Sequence, residues 1–395
     1  MKLTFISNYY NHHQEELARA FDSMSNVEFY FIATKEIPAF RVKLGYKNMN
    51  HSAPFTIRAY ESPKSMRCAR RLVDESDVVI CGAAPDSYIV SRLKQNKLTF
   101  RYSERHFKQG LNWKTFLSRF ACILLKYKRF ERYPLYVLAA SAYTAADVNM
   151  FANFRKRCVK WGYFTKVDKG YKISSTTGFN SSYEPVKLMW CSRYIDWKHP
   201  ELPVKLARCL KDKGYKFVLD MYGTGVELKR TQRLSCELGV CDVVNFCGVF
   251  PNEQILEQMK KHEIFLFTSD FNEGWGAVLN ESMSCGCAVV ASHAIGAVPF
   301  LVEDGVNGMI YENGNLDSFV NKVEYLLAHP AERFSIRQKA IQTMQEQWNA
   351  EIAASRFVQL SKQLLAGRAL SDQYSDGVCS EAEELKNYWY IEKKY

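Results

Sequence analysis

The chain of 395 residues is long enough for two to three domains with a sizeable buried core. Its 47% apolar and 24% charged composition excludes disulfide-stapled miniproteins and collagenous, fibrous and disordered chains. The net charge of +11 is unevenly spread: residues 1–185 hold 30 Lys+Arg against 15 Asp+Glu, and residues 186–395 hold 23 against 27. That asymmetry points to an anionic partner for the N-terminal half, such as nucleic acid, acidic lipid or a phosphorylated acceptor, or else to a generic solubility surface.

Leu3 to Ser7 is a short apolar run without alternation, which reads as a buried parallel strand. A helical pattern follows over Gln14 to Asp22, then strands over Val27 to Ile32, Asp77 to Cys81 and Leu98 to Tyr102 with helical stretches between. Residues 101–132 carry nine Lys/Arg against two Asp/Glu, interleaved with Trp113, Phe116, Phe120, Ile123, Leu124, Tyr127 and Phe130 at three- and four-residue spacing. This is an amphipathic basic helix. It suits the interface of an anionic membrane, where each cation adds about 1 kcal/mol, or a core-packed helix with solvated charges.

Residues 171–185 turn to Ser, Thr, Gly and Asn and read as a linker. Beyond it the alternation restarts, with strands at Val186 to Cys191, Phe217 to Met221, Val243 to Phe246, Ile264 to Phe267 and Ala288 to Ala291, and a helix near Pro203 to Lys213. Strands alternating with helices predict parallel sheets covered on both faces, with ligands at the carboxyl ends of the strands. The 12 cysteines are scattered and form no C-x-x-C pair, and Met1 and Lys2 run straight into the first strand without a leader-like segment. A reducing cytoplasm is therefore expected, with no secretory signal and no stretch long enough to span a bilayer.

The most informative segment is Asn272-Glu-Gly-Trp-Gly-Ala-Val-Leu-Asn-Glu-Ser-Met-Ser-Cys-Gly-Cys287, between two strands. Gly274 and Gly276 permit close backbone approach, and a helix starting near Ala277 directs its free N–H groups to the same place, which makes an anion site. Glu273 precedes that helix, and Glu281 is placed in its second turn, so both carboxylates can accept hydrogen bonds from vicinal hydroxyls. Cys285 and Cys287 read as small packing residues.

The Glu273/Glu281 spacing, Gly286 and Val289-Val290-Ala291 resemble the retaining glycosyltransferases of family four, which have the GT-B architecture. Cys191-Ser-Arg193 with Lys198, Tyr222-Gly223-Thr-Gly225, Phe246-Cys-Gly248, Val298-Pro299 and Glu303-Asp-Gly-Val-Asn-Gly308 resemble further segments of that family in the expected order. The resemblance is close over about residues 186–330. Before them, Ser7-Asn-Tyr-Tyr-Asn-His-His-Gln14 replaces the usual glycine-rich loop and resembles a bacterial surface-polysaccharide branch.

The resemblance implies an α/β GT-B fold of two Rossmann-like domains with parallel sheets facing a cleft. The expected boundaries are an acceptor-side domain at 1–170, a linker at 171–185, a nucleotide-sugar-binding domain at 186–370 and a tail at 371–395. It implies transfer of a sugar, with retention, from a nucleoside diphosphate sugar, UDP favoured, to a saccharide or lipid-linked acceptor. A nucleotide-sugar epimerase of the same architecture, or a basic membrane- or nucleic-acid-binding module, is the alternative.

Arg193 and Lys198 would neutralise the departing diphosphate, each contributing about 3 to 4 kcal/mol in a water-poor site, unless they are surface charges at a helix start. Glu273 would hold the donor sugar, with the backbone of Gly274, Trp275 and Gly276 beside it. Glu281 would hold the ribose and Gly223 would line the nucleotide site. His12, His13 and Gln14 follow the first strand, as ligand contacts or as helix-capping and packing residues. Glu104, Arg105 and His106 follow another strand, as contacts or as an Arg–Glu structural pair, and Ser141 and Tyr143 are an N-cap and packing candidate. No metal-ligand pattern or Asp-x-Asp is present, and the family generally works without a divalent ion and without a resident cofactor. The expected location is the cytoplasm, at the inner membrane face if the basic segment docks there. With the donor motifs in the acidic half, the basic excess shifts to an anionic or membrane-bound acceptor and away from nucleic acid.

Overall fold

A computed structural model describes residues 1–39, 48–108, 113–174, 184–370 and 373–391. The chain forms two units, one of Met1–Lys166 with Trp348–Lys386, the other of Val167–Gln347 with Asn387–Tyr395.

Among its described residues the first unit has seven strands: β1 (Lys2–Ser7), β2 (Glu28–Ala33), β3 (Thr56–Arg58), β4 (Val78–Cys81), β5 (Thr99–Ser103), β6 (Leu135–Ala139) and β7 (Cys158–Lys160). They pair in parallel in the order β3-β2-β1-β4-β5-β6-β7, so the sheet reverses direction of growth between β1 and β4, where Leu3 faces Val78. Leu3, Phe5, Ile6, Val78, Val79 and Ile80 are fully buried, as continuous apolar runs in a sheet covered on both faces must be. The helix His12–Asp22 starts in a capping box: Asn11 accepts from His13 N–H, and the Gln14 side chain accepts from Asn11 N–H.

The C-terminal helix Ala350–Leu365 belongs to this unit, which corrects the expected boundary at 370. Asn349 caps it by accepting from Ile352 N–H. Its Phe357 ring lies 5.6 Å from Phe21, 4.7 Å from Phe100 and 5.6 Å from Trp161, so the last long helix covers the first sheet. Residues 373–386 are not a free tail. Lys160 N–H donates to Ser380 O and Cys379 N–H to Lys160 O, which covers the edge of β7. Most of the expected linker, residues 175–183, lies outside the described residues.

The basic helix spans Trp113–Lys126, and its inner face is used in packing. Phe116 and Phe120 lie 5.8 and 4.9 Å from Phe151, and Ile123 and Tyr127 are buried. Leu117 and Leu125 remain 73% and 59% exposed, eight residues apart on the outward face.

The second unit has six strands among its described residues, β8 (Val186–Cys191), β9 (Phe217–Tyr222), β10 (Val244–Gly248), β11 (Ile264–Phe267), β12 (Ala288–Ser292) and β13 (Met309–Tyr311), parallel in the order β10-β9-β8-β11-β12-β13. Here the order reverses between β8 and β11, with Ile264 opposite Leu188. The loops after these two neighbours therefore leave the sheet side by side, at the place where doubly wound sheets bind ligands. The three-residue strands β3, β7 and β13 were not marked by sequence, since three residues carry no usable periodicity.

Candidate active site

The loop after β8 is held by the loop after β9. Ser192 N–H donates to Tyr222 O and Tyr194 N–H to Thr224 O. Gly223 has φ +126°, and a Cβ there would overlap the Ser192 carbonyl oxygen. Gly223 thus supports the strand-end loop that carries Arg193. Arg193 is exposed, and its guanidinium lies 5.9 Å from the Trp197 ring centre.

A short turn, Asp196–Lys198, ends in His199 with φ 49°. It brings the Lys198 ammonium to 4.5 Å from the same Trp197 ring and into an ion pair with Glu273 Oε2. Lys198 is 8% exposed, and the Glu273 side chain 12%. Ser269 Oγ donates to the same carboxylate oxygen at 3.0 Å. The backbone beneath is fixed by a relay: Trp190 Nε1–H donates to Thr268 Oγ1 (2.9 Å), and the Thr268 hydroxyl donates to Lys198 O (2.6 Å).

Asp270 shapes the second loop. Its N–H donates to Trp197 O, its carbonyl accepts from Glu273 N–H, and its carboxylate accepts from Asn272 N–H. The His199 ring joins both loops, with Nε2 3.3 Å from Asp270 Oδ2 and Nδ1 3.2 Å from Glu201 Oε1. Those bonds, to Asp270 first and Glu201 second, push its pKa up to about 9, so it is an imidazolium at neutral pH. Trp197, His199, Ser269 and Asp270 escaped the sequence reading. The signal available for them was their position just beyond two apolar strands.

Gly276 has φ +93°, and a Cβ would stand 2.7 Å from Phe267 Cζ and 3.2 Å from Glu273 Cγ, so only glycine lets the loop close on Glu273. The Trp275 side chain is fully buried, its Nε1–H donates to Asn280 Oδ1, and its carbonyl accepts from Ala297 N–H. The following helix, Val278–Ser284, has seven residues and carries Glu281 in its first turn, one turn earlier than expected. Burial pushes the Glu281 carboxyl up to about 7 against the lowering effect of Asn252, whose Nδ2 donates to it at 3.3 Å. Among the described residues no group of three or more His, Cys, Asp or Glu could hold a metal ion.

In the first unit, His13 and Glu104 converge on Tyr163. The His13 ring stacks on the Tyr163 ring at 5.0 Å, and Tyr163 Oη donates to Glu104 Oε1 at 2.6 Å, while Lys108 pairs with Oε2 of the same carboxylate. The Arg–Glu structural pair offered as one alternative does not form: Arg105 pairs with Asp147 at 3.4 Å and Glu104 with Lys108. His106 turns inward: its Nε2 lies 3.0 Å from Tyr127 Oη and 3.3 Å from Ser103 Oγ, and burial foremost, with nearby cations, pushes it down to about 4. The imidazole of half-buried His106 is thus tied to a buried tyrosine, a packing contact. Tyr143 is buried with Arg105 4.5 Å over its ring, a packing role.

Two parallel α/β units with the ligand loops at a strand-order reversal define the GT-B glycosyltransferase fold. Two solved structures share it over 93% of this chain, each at 17% identity: Anabaena Alr3699/HepE in complex with UDP (TM-score 0.64, 99% of that chain) and sucrose-phosphate synthase from Thermosynechococcus elongatus (TM-score 0.66, 100% of that chain). Residues 179–343, which include Lys198, Glu273 and Glu281, match the family described as glycosyl transferases group 1. Curated relatives align over less than half of this chain. The D-inositol 3-phosphate glycosyltransferase of Geodermatophilus obscurus is 28% identical over 154 residues, 37% of this chain and 34% of its own. The lipopolysaccharide core biosynthesis glycosyltransferase LpsE of Rhizobium meliloti is 26% identical over 168 residues, 40% of this chain and 48% of its own. The chain thus spans between a third and a half of the length of these relatives.

Proposed function

We propose that the protein is a retaining glycosyltransferase that moves a sugar from a nucleoside diphosphate sugar, UDP favoured, to a hydroxyl of a saccharide or lipid-linked acceptor in surface polysaccharide assembly, without a metal ion. The observation that carries this reading is the Lys198–Glu273 ion pair, nearly buried where the loops after β8 and β11 meet. A diphosphate arriving there replaces the carboxylate at Lys198, and Arg193 adds a planar fork beside it. Glu273, released from the lysine, accepts hydrogen bonds from donor-sugar hydroxyls, and Glu281 takes the ribose. Charge on the leaving phosphate grows towards fixed cations, so their stabilisation is largest in the transition state. The departing phosphate oxygen receives the acceptor proton on the face it leaves, so the anomeric configuration is retained. HepE was solved with UDP, with UDP and glucose, and with UDP-glucose, which supports a UDP-sugar donor here.

The test is a screen of UDP-, GDP- and ADP-sugars against saccharide and polyprenyl-linked acceptors, with linkage analysis of the product. A folded Glu273→Gln variant that transfers at the unaltered rate sinks the assignment.

For the acceptor side we propose docking on an anionic inner-leaflet surface through the outward face of Trp113–Lys126. Its amphipathic inner face belongs to the core. The support is therefore narrower: Leu117 and Leu125, exposed, with exposed Arg119, Lys126, Lys128 and Arg129 nearby. Among the described residues no helix is long and apolar enough to cross a membrane. Flotation with anionic vesicles checks the surface; binding that is insensitive to salt and to Leu117→Glu removes it.

A further inference from the structure

Cys236 lies at the end of the helix Leu228–Glu237, and Cys241 lies in the turn leading to β10; both are exposed. Their sulfurs are 2.8 Å apart. That is well inside ordinary contact between two sulfur atoms, and a shift of under about 1 Å would bring them to the ~2.05 Å of a disulfide bond. Ser235 Oγ stands 3.2 Å from Cys241 Sγ. The turn is anchored from the neighbouring helix by Lys211, whose ammonium donates to Gly239 O and pairs with Asp242.

The two thiols are not equivalent. Hydrogen bonds from Cys236 and then Ser235 hold the Cys241 thiol below its ordinary value, whereas the same contact raises Cys236. Cys241 Sγ has both Cys236 Sγ (2.8 Å) and Ser235 Oγ (3.2 Å) within hydrogen-bonding reach of a thiolate, which fits Cys241 as the attacking thiolate and Cys236 as the resolving thiol. Buried Cys287 and Cys379 show the opposite environment, with burial pushing both thiols up. Alongside Cys236, an open depression of about 680 Å³ is lined by Lys229, Gln232, Arg233 and Glu237. Two cations against the one carboxylate of Glu237 leave a net positive charge there, which suits a small anionic reactant.

We propose that Cys236 and Cys241 form a redox-active dithiol that closes to an intramolecular disulfide by exchange with an anionic small-molecule disulfide of the glutathione class. The Cys241 thiolate attacks one sulfur of that disulfide, and the second sulfur leaves as a thiolate that takes up a proton. Cys236 then loses its proton and attacks Cys241 Sγ, releasing the second small thiol. Two protein thiols are oxidised and one external disulfide is reduced to two thiols. The bond ties the end of the helix Leu228–Glu237 to the turn before β10. That helix follows the Gly223-Thr-Gly225 loop that supports Arg193.

The test uses the full chain equilibrated in glutathione buffers of graded potential, acid-quenched, alkylated and mapped by peptide mass spectrometry. The expected result is loss of two hydrogen masses on the peptide pair holding Cys236 and Cys241, reversed by reduced glutathione. Cys236→Ser should accumulate one glutathionyl group on Cys241, and Cys241→Ser should react at Cys236 at least about tenfold more slowly. Lys229→Glu with Arg233→Glu should slow oxidation by glutathione disulfide but not by an uncharged disulfide. Full and independent alkylation of both cysteines at every potential overturns the proposal. So does a disulfide found only between two chains.

Discussion

Replacing Lys198 by Met removes one half of a nearly buried ion pair. Lys198 is 8% exposed and the Glu273 side chain 12%, and the carboxylate keeps only the Ser269 hydroxyl on that oxygen. Removing one partner of such a pair costs about 3 to 5 kcal/mol, because the remaining charge is stranded away from water. The Ser269 bond and residual access to solvent favour the lower figure, about 3 kcal/mol, or roughly a hundredfold in the folded-to-unfolded ratio of the second unit. Replacing both residues, Lys198→Met with Glu273→Leu, should recover most of that loss, since two uncharged side chains of similar size leave no charge behind. Urea unfolding followed by the fluorescence of Trp190, Trp197 and Trp275 gives the four corners of the cycle. All three variants should lose transfer by about 10² to 10³. A Lys198→Met protein that is destabilised by less than about 1 kcal/mol, or a double variant as unstable as the two singles added together, would refute the stranded-charge argument. Retention of full transfer by the double variant would refute the assignment of the pair to the donor.

Other expectations follow from the same loops. Gly223→Ala places a Cβ onto the Ser192 carbonyl at φ +126°, so it should cost about 3 kcal/mol and weaken donor binding, measured by denaturation and calorimetry; Gly305→Ala, strained at φ +77° but with nothing within 4 Å, should cost only about 1 to 2 kcal/mol. Glu281 has its carboxyl raised to about 7, so its contribution to stability is fully present below the ordinary carboxylate value and is lost as pH rises through about 7. Glu281→Gln should flatten that decline in thermal unfolding between pH 5 and 8 while weakening nucleotide binding, and an unchanged pH profile would contradict the burial argument. His199, raised to about 9, stabilises below its ordinary imidazole value and loses that contribution as pH climbs through about 9. Asp270→Asn should move this loss to lower pH, as measured by NMR titration of the ring.

Several features were fixed by local chain chemistry. The strand Ile264–Phe267 has the bounds that its apolar run announces, because a strand buried on both faces must be apolar throughout, and Val186–Cys191 is marked in the same way by its buried centre Leu188–Trp190. The same holds for the glycine at 276, whose φ of +93° no side chain adopts without strain. Glu273 was legible from the glycine-rich loop beyond a strand and Lys198 from the resemblance of its segment to the family, although 75 positions separate them.

What folding alone decided is which charges meet. The reversal of strand order at β8 and β11 puts their two loops side by side, so Lys198 closes on Glu273 while Arg193 stays outside on Trp197. His106 and Glu104 share one sequence loop, yet packing turns the first inward to Tyr127 and leaves the second with Tyr163 and Lys108. The helix Ala350–Leu365 follows the second sheet in sequence but covers the first, because Phe357 finds its apolar partners among Phe21, Phe100 and Trp161. Sequence specifies which residues seek apolar cover and which loops accept glycine. Pairing between distant charges and rings depends on strand order, which no local pattern encodes.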